Sequence, residues 1–137
     1  MIRETLATFT TIEKSEGDLA DMIAEQGAFW VIDDGAVQGF ATFGPFRSGP
    51  GYAATAEHTI VLGKGAQGKG QGRALLFQLE AAARECGIHV LVAAISSANP
   101  GAVAFHTALG FAETARMPEV GRKQDQWLDL ILMQKSL

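Results

Sequence analysis

The chain has 137 residues, and at roughly 150 residues per domain this predicts one domain over residues 1–137. With 47% hydrophobic and 19% charged residues it has the material for a packed core, which excludes a disordered or fibrous chain. Eleven Lys plus Arg against fifteen Asp plus Glu give a net charge of −4, which argues against nucleic acid or an anionic membrane as the main partner. Local basic clusters still suit small anions.

A single cysteine, Cys86, rules out an internal disulfide and a Cys-rich zinc site; the expectation is a reducing, cytoplasmic setting and no metal. The segment MIRETLATFTT lacks the apolar core of a signal peptide, and no apolar run approaches the roughly 20 residues of a membrane span.

Ser15 and Asp18 read as a helix start, and Leu19, Met22 and Ile23 follow at i, i+3, i+4 spacing, predicting an amphipathic helix over 16–26 closed by Gly27. Phe29 to Ile32 and Val37 to Phe43 are apolar, aromatic and β-branched; Asp33-Asp34-Gly35 between them supplies a tight hairpin turn, so an antiparallel pair is expected. The stretch FGPFRSGPGY, Phe43 to Tyr52, is a Gly- and Pro-rich loop of the kind that borders a site. A strand over 55–62, a glycine-rich segment over 63–72 and a helix from about Gln71 to Cys86 follow, the helix ending at Gly87 with Leu75, Leu76, Leu79 and Ala83 inward. Cys86 then sits on a semi-buried turn with no nucleophilic role. Ile88 to Ile95 reads as a buried strand. Asn99-Pro100 opens a short helix to Leu109, stopped by Gly110. Phe111 to Met117 and Trp127 to Met133 are two last strands around the polar connection GRKQDQ.

The strongest chemical signal is VLGKGAQGKGQGR. Glycines let backbone amides converge on an anion, the helix that follows adds its positive end, and Lys64, Lys69 and Arg73 add charge. The plain alternative is a flexible loop with solvated lysines; phosphate binding is the preferred reading. Gly63-x-x-x-x-Gly68-Lys69 approaches a nucleotide P-loop, but Gly70 stands where that motif needs a hydroxyl for magnesium. Gly63-x-Gly65-x-x-Gly68 also spells a dinucleotide fingerprint, but the next strand runs into Ser96-Ser97 instead of an acidic residue.

A third reading rests on Gln67-x-x-Gly70-x-Gly72, which resembles the pyrophosphate-binding motif of the GNAT superfamily of acyl-CoA N-acyltransferases. Asn99 at the end of the next strand and AFHTALGF after it resemble that superfamily's closing helix. Thr55 to Leu62, Glu80 to Ile95, Leu109 to Gly121 and Trp127 to Gln134 look like its phosphinothricin acetyltransferase-like branch, which includes N-acyltransferases of methionine derivatives. The resemblance covers most of residues 7–137. It implies an α/β fold with a mixed, mostly antiparallel central sheet flanked by helices, acetyl-CoA as co-substrate, a small amine as acceptor and a homodimer.

Acyl transfer from a thioester to an amine needs a neutral amine, a polarised carbonyl and a proton for the leaving thiolate. By resemblance, Glu57 in Thr55-Ala56-Glu57-His58-Thr59 removes the ammonium proton, with partial burial raising its pKa; the plain reading is a solvent-facing strand carboxylate. His58 faces the other side of the strand and is structural. Ile60 and Leu62 match positions whose backbone holds the pantetheine arm, and Gln67, Gly68, Lys69, Gly70, Gly72 and Arg73 match the pyrophosphate loop. Asn99 matches a pantetheine contact and has a sufficient structural role as a helix cap. His106 stands where many members carry a tyrosine facing the sulfur; it reads as a proton donor to the thiolate or as a structural histidine. Arg47, Gly51 and Tyr52 match the acceptor side, where a planar guanidinium fits a carboxylate. Arg47 also reads as a solvated loop charge.

The chain departs from the branch's pattern in three places. Only Met1 to Leu6 precede the segment that Ala7-Thr8-Phe9 resembles, so an abbreviated N-terminal strand and helix are expected. Ala53 and Ala54 stand where Arg and His are common, and Gln124-Asp125-Gln126-Trp127 replaces Phe-Gly-Arg-Trp. These changes bear on the acceptor more than on the acyl-CoA site. The expected function is acetyl transfer from acetyl-CoA to the amine of a small amino acid or analogue of the phosphinothricin, methionine sulfone or methionine sulfoximine type. The alternatives are a non-catalytic acyl-CoA-binding or sensing module and, last, a nucleotide-binding protein.

Overall fold

The computed structural model describes residues 29–33, 37–62 and 70–137; the expected helix over 16–26 and most of the glycine-rich segment lie outside them. The described residues fall into two compact units, one reaching to Leu91 and including Ser136–Leu137, the other Val92–Lys135.

In the first unit, β1 (Phe29–Asp33), β2 (Val37–Pro45) and β3 (Thr55–Leu62) form an antiparallel meander. The β1–β2 pairing is antiparallel, as expected, and runs from Phe29 opposite Thr42 to Asp33 opposite Val37 with an irregularity between Ile32 and Asp33. The turn residues themselves, 34–36, lie outside the described set. Between β2 and β3 the register is regular, from Gly39 opposite Leu62 to Pro45 opposite Ala56. Gly39 is required there, since a Cβ would come within 2.6 Å of the Val61 carbonyl oxygen. The loop between them contains a 3-10 turn, Pro50–Tyr52.

Helix α1 (Gln71–Glu85) packs across these strands. Leu75, Leu76, Leu79 and Ala83 are buried, the inward stripe that the spacing predicts, and Phe40, Ala41, Phe43 and Ala56 are buried strand residues of the same unit. Glu80 is also buried on α1, with the Arg84 guanidinium 3.9 Å away one turn later. The helix closes where Gly87 predicts it to. Gly87 has φ +81°, its amide donates to Arg84 O at 3.0 Å, and the Ile88 amide donates to Ala83 O at 2.9 Å, a Schellman motif. Cys86, expected on a semi-buried turn, is exposed: it is the C-cap, beyond the last helical turn and its buried residue Ala83.

β4 (Val90–Ser96) starts in the first unit, where the His89 and Val90 amides donate to Ala54 O, and continues into the second. There β4, β6 (Gln126–Ser136) and β5 (Ala112–Lys123) lie side by side in that order, with α2 (Pro100–Ala108) between β4 and β5 in sequence. The last two strands are longer than the apolar runs suggest. GRKQDQ is not a loop: Gly121, Arg122 and Lys123 pair with Leu128, Trp127 and Gln126, leaving a two-residue turn at Gln124 and Asp125, whose φ values are 52° and 59°. Such a turn matches the twist of a hairpin, and Asp tolerates the left-handed conformation better than most residues.

Candidate active site

On β3 the pleat separates two neighbours. Ala56 and His58 are buried on one side, whereas Glu57 is half-buried on the other. Burial pushes the Glu57 carboxyl above its ordinary value. The residue opposite Glu57 on β2 is Gly44, so no side chain stands across from the carboxylate on that strand. A desolvated carboxylate is suited to take a proton from a cationic group. Ile60 and Leu62, further along β3, are half-buried.

The loop before β3 brings two of the expected acceptor-side residues, Arg47 and Tyr52, together. The Arg47 guanidinium lies 5.9 Å from the centre of the Tyr52 ring, and Phe46 meets the same ring edge-on at 6.3 Å. The Phe46 amide donates to Thr55 O at 3.3 Å, fixing the loop's entry beside the start of β3. Gly51 is in the 3-10 turn, exposed, with nothing within 4 Å of where a Cβ would stand.

At the other end of β3, Gln67, Gly68 and Lys69 lie outside the described residues. Gly70 is the N-cap of α1, in the left-handed region at φ +75°, and makes no side-chain cap bond. As a glycine, Gly70 gives the first-turn amides no side-chain acceptor of its own, and a Cβ on it would meet open space. The Gln71 Oε1 atom is buried and has no hydrogen-bond partner among the described residues. Gly72 is buried and Arg73 exposed, its guanidinium 5.3 Å from the centre of the Phe77 ring. A helix start reached through a left-handed glycine fits an anionic group such as a pyrophosphate.

In the second unit, Asn99 caps α2: its Oδ1 accepts from the Ala102 amide at 3.1 Å, and Pro100 follows it. The side-chain NH2 group is not used by the cap. His106 is buried two turns later, its Nδ1–H donating to Ala102 O at 2.8 Å and its ring set edge-on between Phe105 and Phe111. A carbonyl only accepts, so this bond defines the tautomer and leaves Nε2 as the lone-pair nitrogen. Desolvation lowers the His106 pKa, with the bond to Ala102 opposing in part, so the ring is neutral at neutral pH.

Sequence reasoning missed one constellation. Asp129 accepts from Arg116 Nε at 2.8 Å and from the Glu119 amide at 3.0 Å. Its own amide donates to Ser97 Oγ at 3.0 Å, and its carbonyl accepts from the Ser97 amide at 2.9 Å. Opposite Asp129 the β5 register slips between Met117 and Gly121, and Glu119 there has φ +56°. The carboxylate thus holds a bulge, and the backbone bonds tie it to the turn before Asn99. The Glu119 amide and the Arg116 guanidinium keep the Asp129 carboxyl below the usual range. The signal was a single carboxylate inside the apolar run WLDLILM.

Among the described residues no cluster of three metal-ligating side chains occurs, and no helix is long and apolar enough to cross a membrane.

The sequence matches the model of the Acetyltransferase (GNAT) family over residues 1–111, so the chain belongs to that family. It is 48% identical over 105 residues to the L-amino acid N-acyltransferase MnaT of Escherichia coli K12, and equally to the L-methionine sulfoximine/L-methionine sulfone acetyltransferase of Salmonella typhimurium LT2. Each match covers 77% of this chain and 61% of the relative, so the matched chain spans about three-fifths of those enzymes. Among solved structures it resembles a GNAT superfamily phosphinothricin acetyltransferase from Sinorhizobium meliloti in complex with acetyl-CoA. The TM-score is 0.87 at 34% identity, covering 99% of this chain and 77% of that one. The fold is thus the mixed α/β fold of the family, as expected from the resemblance.

Proposed function

We propose that residues 1–137 act as one acyl-CoA-dependent N-acetyltransferase domain, moving an acetyl group from acetyl-CoA to the amine of a small amino acid or analogue of the methionine sulfone, methionine sulfoximine or phosphinothricin type. The observation that carries this reading is Glu57, a half-buried carboxylate with a raised pKa opposite a glycine. Family membership and the named activities of the relatives support the reaction class.

In this reading Glu57 accepts the proton of the acceptor's ammonium group, directly or through water, and frees the lone pair that attacks the thioester carbonyl. The new C–N bond forms as the C–S bond breaks; the acylated nitrogen gives up its second proton and the departing thiolate takes up one, leaving a neutral amide and a free thiol. The backbone of Ile60 and Leu62 lies along the pantetheine arm and polarises the carbonyl. Gly70, Gly72 and Arg73, with Gln67, Gly68 and Lys69, hold the pyrophosphate, and the Asn99 side-chain NH2 binds the arm. His106 serves the thiolate; being neutral with Nε2 as its lone pair, it hands over a proton only after taking one there. Arg47 with Tyr52 and Gly51 holds the acceptor's carboxylate. The protein is placed in the cytoplasm and works as a homodimer.

The test is continuous thiol release from acetyl-CoA with methionine sulfone as acceptor. Multiple turnovers in the wild type that are lost in Glu57→Gln are expected. Full turnover by Glu57→Gln across the pH range removes the assigned base, and acetyl-CoA binding without turnover on any amine leaves an acyl-CoA-binding module.

A further inference from the structure

The turn between β4 and α2 is fixed by two serine hydroxyls. Ser96, the last residue of β4, is buried; its Oγ accepts from the Ala98 amide at 3.1 Å and its carbonyl accepts from the Asn99 amide at 2.9 Å. Ser97 is held against the neighbouring strand β6 at two points. Its amide donates to Asp129 O at 2.9 Å, and its Oγ accepts from the Asp129 amide at 3.0 Å. The first is an ordinary ladder bond. In the second a side chain takes the place that a backbone carbonyl holds in a continuing ladder, so the Asp129 amide is satisfied while the chain turns out of the sheet. One hydroxyl thus defines where β4 stops pairing.

Two residues further on, that point sets where Asn99 stands. Asn99 is tied behind through its amide to Ser96 O and ahead through its Oδ1 to the Ala102 amide at 3.1 Å. Its side-chain NH2, which the cap does not use, is therefore carried wherever the turn carries it. The anchor beneath the turn is itself braced. The Asp129 carboxylate accepts from Arg116 Nε at 2.8 Å and from the Glu119 amide at 3.0 Å, locking β6 to the bulged strand β5 at the same residue whose backbone seats Ser97. Such bracing matters for a group that must meet a ligand, since a misplacement of about 1 Å costs up to a hundredfold.

We propose that Ser97 is a positioning residue for acyl-CoA binding: its hydroxyl, seated on the Asp129 amide, sets the turn that presents the Asn99 side-chain NH2 to the pantetheine arm. The proposal rests on the reading of Asn99 as a contact of that arm and has Ser97 act through it. A hydroxyl that merely stabilised the fold would act alike whatever residue stood at position 99.

Calorimetric titration with acetyl-CoA of the full-length wild type, Ser97→Ala, Asn99→Ser and the double variant separates the two. Ser97→Ala is expected to weaken binding about tenfold, and Asn99→Ser, which keeps a capping oxygen, at least as much. In the Asn99→Ser background Ser97→Ala is expected to add less than about twofold, because no NH2 is left to aim. Ser97→Cys, close in shape but a weak acceptor, gives the same pattern and serves where Ser97→Ala fails to fold. Losses that multiply in the double variant, or a Ser97→Ala that binds like the wild type, overturn the positioning role and leave the Asn99 contact standing. If Asn99→Ser binds as tightly as the wild type, or the wild type does not bind acetyl-CoA, the contact and the positioning role fall together.

Discussion

Glu57 and His58 show how much a two-residue period carries. Adjacent strand residues must face opposite sides, so the separation of Glu57 from His58 is legible before any coordinates, while the half-burial of the acid is decided by packing. Glu57→Gln is expected to lower kcat/KM by roughly a hundredfold or more, as for removal of a general base. In the wild type the acidic limb of the kcat/KM profile is expected above the ordinary glutamate range, because burial raises the pKa. His106 is different. Its position was legible but its tautomer was not, because that depends on the Nδ1–H bond to Ala102 and on a setting between two aromatic rings. If its imidazolium supplies the thiolate proton, activity falls as pH rises through the lowered His106 pKa, and His106→Asn abolishes that limb while lowering kcat roughly a hundredfold.

At the scale of elements, both described helices end where glycine ends them. Gly87 and Gly110 adopt positive φ, and the Phe111 amide donates back to His106 O at 3.0 Å just as Ile88 does to Ala83. At the start of α1, Gly70→Asn and Gly70→Asp both tolerate a left-handed backbone, but only Asp adds negative charge. Calorimetric titration is therefore expected to show acetyl-CoA binding by the Asn variant and a much larger loss for Asp. Asn99 separates cap from contact in the same manner. Asn99→Ser keeps an oxygen for the Ala102 amide, so the melting temperature should hold, while loss of the NH2 group should weaken acetyl-CoA binding; Asn99→Ala should cost stability as well, about 1 kcal/mol. The β5–β6 hairpin is longer than its apolar runs predict because its polar turn-flanking residues look like loop residues, and only cross-strand pairing makes Arg122 and Lys123 part of a strand.

For the whole molecule, the shifted groups give stability a pH dependence with a definite sign. His106 has a lower pKa folded than unfolded, so the unfolded chain binds more protons. Stability should fall as pH drops from about 7 through the ordinary histidine range. Asp129 adds a contribution present above the ordinary aspartate value and lost as pH falls through its depressed one. Glu57 works the other way, its raised pKa favouring the fold as pH falls. Urea unfolding between about pH 7 and 5 should therefore show a decline that His106→Asn flattens. The core itself is conventional: Leu76→Ala or Leu79→Ala, at fully buried positions on α1, is expected to cost about 2–5 kcal/mol in the same assay.

A family resemblance in the sequence supplied the α/β class and the candidacy of Glu57, Asn99 and the glycine-rich loop as site residues; the sequence by itself determined the succession of the described strands and helices, the helix stops and the inward stripe of α1. These depend on local quantities: periodicity, capping chemistry and the freedom of glycine. Only the tertiary structure decided that Gly44 faces Glu57, that His106 is neutral with its Nδ1–H committed, that Arg47 lies on Tyr52, and that Asp129 holds a bulge against Ser97. Each of these joins residues distant in sequence, or depends on how much water the packed chain excludes, and neither is written in the spacing of residues along one segment.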